Sequence, residues 1–202
     1  MRTKTDAKRR DILEAAAAEF GQRGYHETTL LHVAQRIGSS KATIYKYFPT
    51  KGELLGAVLA AAAVDVTATL LANLNPSAPL ETQLVAFSAA FVRLHTGDTA
   101  IAMQRLLIAE NGKSIAASRA LHEDPHAQAW THLAVLFDQA QQQGLLRPGE
   151  TDAMAGHLRA LLQGDLPLRL LFGERPAFSD ADKDASAQSA VRLFLAAYGA
   201  AA

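Results

Sequence analysis

Cysteine is absent from this chain of 202 residues. That excludes a disulfide framework, a thiolate zinc site and a cysteine nucleophile. Long apolar runs are also missing. The longest unbroken one, Ala57 to Val64, has eight residues, whereas a membrane-spanning helix needs about 18 or more. The first residues, MRTKTDAKRRD, are charged and have no apolar stretch behind them, so they do not read as a secretory signal. A soluble, cytoplasmic protein is the expectation. No Gly-x-Gly-x-x-Gly and no phosphate-loop motif occurs, no internal repeat is evident, and no segment alternates with the period of a strand.

Hydrophobic residues make up 49% of the chain, many of them Ala and Leu. That composition favours helices and can fill a core. The formal net charge is zero, but it is unevenly spread. Residues 1–56 hold ten Lys/Arg and six Asp/Glu, a net of +4, and the remainder carries −4. A basic head on an acidic body suits a polyanion-binding module joined to a separate effector part.

Turn and cap residues divide the chain into helices. Asp6 can cap a first helix to about Arg23, with Ile12, Ala16 and Phe20 on one stripe and Gly21 and Gly24 as stop signals, leaving Tyr25 in a loop. Thr28 is a suitable N-cap for a helix over Thr29 to Ile37, Gly38 permits the backbone that ends it, and Ser40 can cap Lys41 to Phe48. Pro49 closes that helix, and Thr50 caps one running from Lys51 to about Asn73. Further helices are predicted over Pro79 to His95, Thr99 to Glu110, Ser114 to His122, Pro125 to about Gly144, Thr151 to Leu162 and Asp180 to Tyr198. Pro167 and Gly173 to Pro176 read as interruptions. The expected fold is all-α, with about nine to ten helices. It divides into a three-helix domain over residues 1–50 and a larger helical domain over 51–202.

The most specific signal is Thr28 to Lys51, TTLLHVAQRIGSSKATIYKYFPTK. It has the layout of a helix-turn-helix, a module that places its second helix in the major groove. On that second helix Ile44 and Phe48 anchor inward. Lys41, Thr43, Lys46 and Tyr47 are left mainly outward, and Tyr45 lies near the boundary. Lys, Ser and Thr near a helix start reach base edges or phosphates, and unpaired backbone N–H groups there attract phosphate oxygens.

The stretch from about Asp6 to Leu55 resembles the DNA-binding domain of the TetR family of transcriptional regulators. The resemblance rests on Gly24-Tyr25, Thr28-Thr29, Val33-Ala34, Gly38, Ser40-Lys41, Thr43-Ile44-Tyr45, Tyr47-Phe48, Lys51 and Leu54-Leu55. Ser39 departs from the family's usual hydrophobic residue, and Ala42 from its common Gly. The resemblance implies a homodimer with one reading head per subunit on a palindromic operator in double-stranded DNA. It places Thr28 and Thr29 near phosphate, Ser40, Lys41, Ala42, Thr43 and Tyr45 on the reading helix, and Lys46, Tyr47 and Lys51 at backbone contacts. It implies no cofactor and no enzymatic activity.

The segment from Phe91 to Leu171 is similar to the AefR-like group of C-terminal domains. The body of such regulators dimerises and usually holds a small molecule. Phe91, Met103, Leu107, Trp130 and Phe137, with Gln104, His95 and Arg105, are the candidate lining residues, although such stripes are more often plain core. The helix starting at Pro125 and later helices are expected to form the dimer interface.

One pattern points elsewhere. His122-Glu123-Asp124-Pro125-His126, followed by His132, satisfies H-E-x-x-H and much of the longer zinc-protease pattern. A zinc hydrolase using His122, Glu123, His126 and His132 is the alternative reading. Pro125 opposes it, because a helix carrying two His one turn apart should not run through a proline. On a helix starting at Pro125, His126 and His132 lie about 240° apart.

Overall fold

A computed structural model of the chain describes residues 4–110, 127–174 and 178–200. The described residues form ten helices and no strand. They are α1 (Lys4–Glu27), α2 (Leu30–Arg36), α3 (Lys41–Tyr47), α4 (Lys51–Ala72), α5 (Leu80–Thr96), α6 (Asp98–Glu110), α7 (Ala127–Gln142), α8 (Thr151–Leu162), α9 (Asp165–Leu171) and α10 (Asp180–Tyr198). The fold is all-α, as the composition and periodicity predict. The predicted helix over Ser114 to His122 and the start at Pro125 lie outside the described residues.

Two compact units emerge, and their boundaries fall inside helices rather than at residue 50. The first runs to Val64 and resumes at Ala102. The second holds Asp65–Ile101 and the chain from α7 onward. The first unit extends past residue 50 because Leu54, Leu55 and Val58 of α4 are buried with Ile12, Phe20, Val33 and Ile44 in one core. The second core is built from Leu84, Phe87 and Phe91 of α5, Leu133 and Phe137 of α7, Leu158 of α8 and Phe194 of α10. Helix α5 packs most extensively on α10, and α7 packs on α8.

Several boundaries shift for local reasons. Gly21 does not stop α1. The break comes at Gly24, whose φ of 76° and ψ of 173° kink the helix before it resumes through Tyr25 to Glu27. Thr29, not Thr28, caps α2. Its hydroxyl accepts from the His32 N–H at 3.2 Å, while its own N–H donates to His32 Nδ1 at 3.3 Å. Gly38 ends α2 at φ 61°, with Gly38 N–H donating to Gln35 O and Ser39 N–H to Ala34 O. That pairing is the Schellman arrangement and satisfies two otherwise orphaned carbonyls.

Pro167 does not interrupt a helix. It sits at the third position of α9 after the N-cap Gly164, within the first turn, where a missing N–H removes no intrahelical bond. Helix α10 begins as predicted, with Ser179 and Asp182 forming a reciprocal capping box.

Helix α4 qualifies the reading of apolar runs. Counting unbroken runs missed it, yet its 22 residues reach a mean hydropathy of 2.1 over an 18-residue window, long and apolar enough to cross a membrane by length and composition alone. Much of that value comes from alanines. Leu54, Leu55, Val58 and Leu70 are buried in protein cores, whereas Val64 is 68% exposed.

Candidate nucleic-acid interface

Helices α2 and α3 pack on each other, and α1 packs on α2. Ile44 and Phe48 fix α3 inward, both buried in the first core. Ser40 caps α3 as the sequence predicts: its Oγ accepts from the Thr43 N–H at 3.1 Å and is hydrogen-bonded to Thr43 Oγ1 at 2.9 Å. The opposite face presents Lys41, Ala42, Tyr45 and Lys46 to solvent, with Thr43 and Tyr47 half-buried. Lys41 Nζ lies 5.4 Å from the centroid of the Tyr45 ring. This short face therefore carries two cations, a phenol, a hydroxyl and a methyl at helical spacing, a mixture suited to phosphates and base edges.

Three predicted contact residues have structural employment. Thr28 is only 1% exposed, and its hydroxyl donates to Gly24 O at 2.7 Å and lies 3.1 Å from Glu19 O. It closes the end of α1 and does not cap α2. Lys51 is half-buried, with Nζ donating to Tyr25 O at 2.6 Å and to His26 O at 3.2 Å while lying 4.3 Å from the Tyr25 ring centroid. It ties the start of α4 to the last turn of α1. Tyr47 packs partly against the first core.

Sequence reasoning missed the ion cluster behind the interface. Glu19 is 5% exposed. Its Oε1 accepts from Arg36 Nη1 at 2.7 Å, and its Oε2 from Arg23 Nε at 2.8 Å. The Arg36 hydrogen bond is the main force holding the carboxyl below the usual glutamate range. Burial opposes it, and Arg23 adds a second hydrogen bond and charge attraction. Arg23 at i+4 was legible in the sequence, but Arg36, seventeen positions away, gave no local signal.

The candidate effector residues do not assemble into one group. Phe91, His95 and Trp130 come together in the second unit: Phe91 stacks on His95 at 3.8 Å and meets Trp130 edge-on at 5.2 Å. Phe137 stacks on Phe194 at 5.0 Å as ordinary core. Met103 packs against the first core, while Gln104 and Leu107 are half-buried on the same helix and Arg105 is exposed.

Of the alternative metal set, His122, Glu123 and His126 lie outside the described residues. His132 is exposed, with Nδ1 2.7 Å from Gln128 O on its own helix. No group of three or more metal-binding side chains occurs among the described residues.

Two family models match. Residues 12–58 match the bacterial regulatory proteins of the tetR family, and residues 82–200, more than half the chain, match the AefR-like transcriptional repressor C-terminal domain. The chain belongs to the TetR family. Among TetR-family structures, one from Mesorhizobium loti MAFF303099 superposes with a TM-score of 0.90 at 27% identity, covering 98% of this chain and 100% of that one. A putative transcriptional regulator from Saccharomonospora viridis, solved in complex with choline, gives a TM-score of 0.70 at 25% identity, covering 94% and 96%. The HTH-type transcriptional regulator RutR of Escherichia coli K12 is 45% identical over 53 residues, 26% of this chain and 25% of RutR. The activator FasR of Mycolicibacterium smegmatis is 43% identical over 54 residues, 27% of this chain and 25% of FasR. The match thus spans about a quarter of these curated relatives' length, over the reading head. The metal-hydrolase alternative gains no support from these likenesses, since TetR regulators are not an enzymatic family.

Proposed function

We propose that this protein is a ligand-responsive transcriptional repressor that binds a palindromic operator as a homodimer in the cytoplasm. The observation that carries the reading is the capped, solvent-facing α3, with Lys41, Ala42, Thr43 and Tyr45 on its reading face and Lys46 and Tyr47 at its flank. Repression, rather than activation, is supported by the AefR-like repressor match over residues 82–200. FasR, similar only over the head, is an activator, so the head alone does not set the sign. A small-molecule effector is supported by the regulator of similar fold that was solved with choline.

Two heads on a two-fold axis must meet two half-sites about one helical turn apart, so an effector that favours another dimer conformation releases the DNA. In the second unit α8, α9 and α10 present exposed apolar side chains: Leu161, Leu168, Phe172 (80% exposed) and Leu193 (58% exposed). A shallow groove of about 400 Å³ between them includes Leu161, Arg169, Phe178 and Leu193. We assign this face to the second copy, because Leu161 and Leu193 line one groove and exposed apolar groups that share a surface, unlike single scattered ones, favour an interface. Lys51 and Thr29, at the starts of α4 and α2, are assigned to phosphate contacts. Thr28, its hydroxyl turned inward, serves by positioning.

Selection from randomised duplex DNA at moderate salt with excess competitor tests the reading. An enriched palindrome is the expected result. Enrichment of no sequence, with and without added cell metabolites, would remove it.

A further inference from the structure

The cations of the reading head are not equivalent. Arg23 and Arg36 are engaged by the buried Glu19 carboxylate, and Lys51 Nζ donates to two carbonyls of α1. Arg9, in the second turn of α1, has neither use. Among the described residues no carboxylate forms an ion pair with it. Thr5 and Leu13 occupy the positions four residues to either side, where a helical ion pair would stand. Arg10 differs, because Asp6 and Glu14 lie at that spacing from it.

Helical register sets where Arg9 lies. Leu13, Ala16 and Phe20 follow it by four, seven and eleven residues, which at about 100° per residue keeps all of them within about 60° of arc. Those three are buried in the first core. Arg9 therefore continues the inward stripe of α1 one turn past the end of the core, and it is exposed. Its guanidinium carbon lies 5.3 Å from the centroid of the Phe48 ring. Phe48 is the C-cap of α3, with its N–H bonded to Ile44 O, and it is only 4% exposed. A buried ring is a fixed platform, and a guanidinium stacked on an aromatic face can still donate from its N–H edges. Helix α1 thus delivers a positioned cation to the C-terminal end of the reading helix.

A cation counts at that end. The last carbonyls of a helix carry partial negative charge and repel an anion. A helix seated in the major groove, about 12 Å wide, has phosphates along both walls, so the groups that adjoin its ends stand over backbone rather than over bases. Lys46 supplies one charge in the last turn of α3. Arg9 supplies a second from outside the helix-turn-helix, with the planar fork that matches a phosphate.

We propose that Arg9 is a further DNA-binding residue, which holds a backbone phosphate at the edge of each half-site while Phe48 fixes its guanidinium. The contact adds affinity to every sequence and reads no base.

Titration of the palindrome selected from randomised duplexes, at several salt concentrations and with the full chain, tests this. Arg9→Gln should weaken binding about tenfold and lower the slope of log K against log salt by about 0.9 for each subunit. Arg9→Lys should keep the slope and recover part of the affinity, since an ammonium keeps the charge but lacks the fork. Arg23→Gln removes the same charge from the same helix, where it faces Glu19, and should leave the slope as in the wild type. The palindrome enriched by Arg9→Gln should be that of the wild type. Arg9 is exposed, so neither of its substitutions disturbs the core.

An unaltered slope in Arg9→Gln, even with a lower unfolding midpoint, overturns the proposal and leaves Arg9 as a cover for Phe48. An equal fall in slope in Arg23→Gln also overturns it, because net charge would then account for the effect. A changed preference for flanking bases in Arg9→Gln would replace the phosphate contact by reading of base edges. A wild type that enriches a palindrome keeps the regulator reading in each of these cases, whereas one that enriches nothing loses both.

Discussion

Arg36, in the last turn of α2, donates to the buried carboxylate of Glu19 on α1 at 2.7 Å. The contact joins the first helix of the reading head to the helix that carries the turn. Arg23 completes the cluster from the same helix as Glu19. The carboxylate is buried while both guanidinium groups remain partly in solvent, so the pair loses less hydration than a fully buried one.

Removing the carboxylate should loosen the head. Glu19→Gln keeps the volume and loses the charge, and is expected to cost about 1–2 kcal/mol, discounted because the arginines are solvated. The pH dependence carries the same signature. The folded carboxyl titrates below its ordinary value of 4.5, so its contribution is fully present above that value and is lost as pH falls through the folded pKa. Amide protection in α1 and α2, taken relative to the intrinsic exchange rate at each pH, should fall below about pH 4.5 in the wild type. In Glu19→Gln that acid limb should be absent, and its persistence would assign the acid sensitivity to another group.

Lys51 has two separable roles. Lys51→Met keeps the apolar stem against the Tyr25 ring but removes the bonds to Tyr25 O and His26 O. A loss of about 1 kcal/mol in stability is expected. If the ammonium also reaches phosphate, the slope of log K against log salt should fall by about 0.9 for each subunit. Thermal unfolding measures the first role and DNA titration at several salt concentrations the second. An unchanged slope leaves Lys51 as a clamp only.

Base-reading and phosphate-contacting residues on α3 should separate cleanly. Thr43→Val and Lys41→Ala are expected to change which half-site is enriched, at about 1–3 kcal/mol for the affected base pair. Lys46→Gln should weaken all sequences alike. Ser40→Ala removes the cap from Thr43 N–H and should cost about 1 kcal/mol in the stability of α3. Exchange rates in α3 identify that loss independently of DNA. Unaltered half-site preference in both Thr43→Val and Lys41→Ala would move the reading contacts elsewhere.

A charge on the apolar face of α10 should separate the copies. Leu193 is 58% exposed, so Leu193→Glu should leave the core intact while burying two like charges at a two-fold interface. Sedimentation is expected to show a monomer of 21.6 kDa with helix content unchanged. Operator affinity should fall steeply, because one head holds one half-site. A dimer that survives both Leu193→Glu and Phe172→Glu would place the interface on another face.

Much of this protein was legible where the signal was local. Ser40 followed by a short cationic helix and Gly38 after an apolar stripe each declared a helix end that the backbone realises. The family pattern rests on the same local features. The misreadings arose where one residue type has two uses. Pro167 reads as a breaker but sits in a first turn. Thr28 and Thr29 are equally good caps by type, and only the burial of Thr28 against α1 decides between them.

What the sequence determined by itself was therefore most of the described helices, though not α9, and the outward polar face of α3, because caps, glycines and apolar periodicity act over one turn. What the tertiary structure alone decided were the partners: Glu19 with Arg36, Lys51 with two carbonyls of α1, and Trp130 with Phe87 and Phe91. Those groups lie seventeen or more positions apart in the chain. Which charges are neutralised and which donors are stranded depends on what folding brings against them, and no window of sequence contains that information.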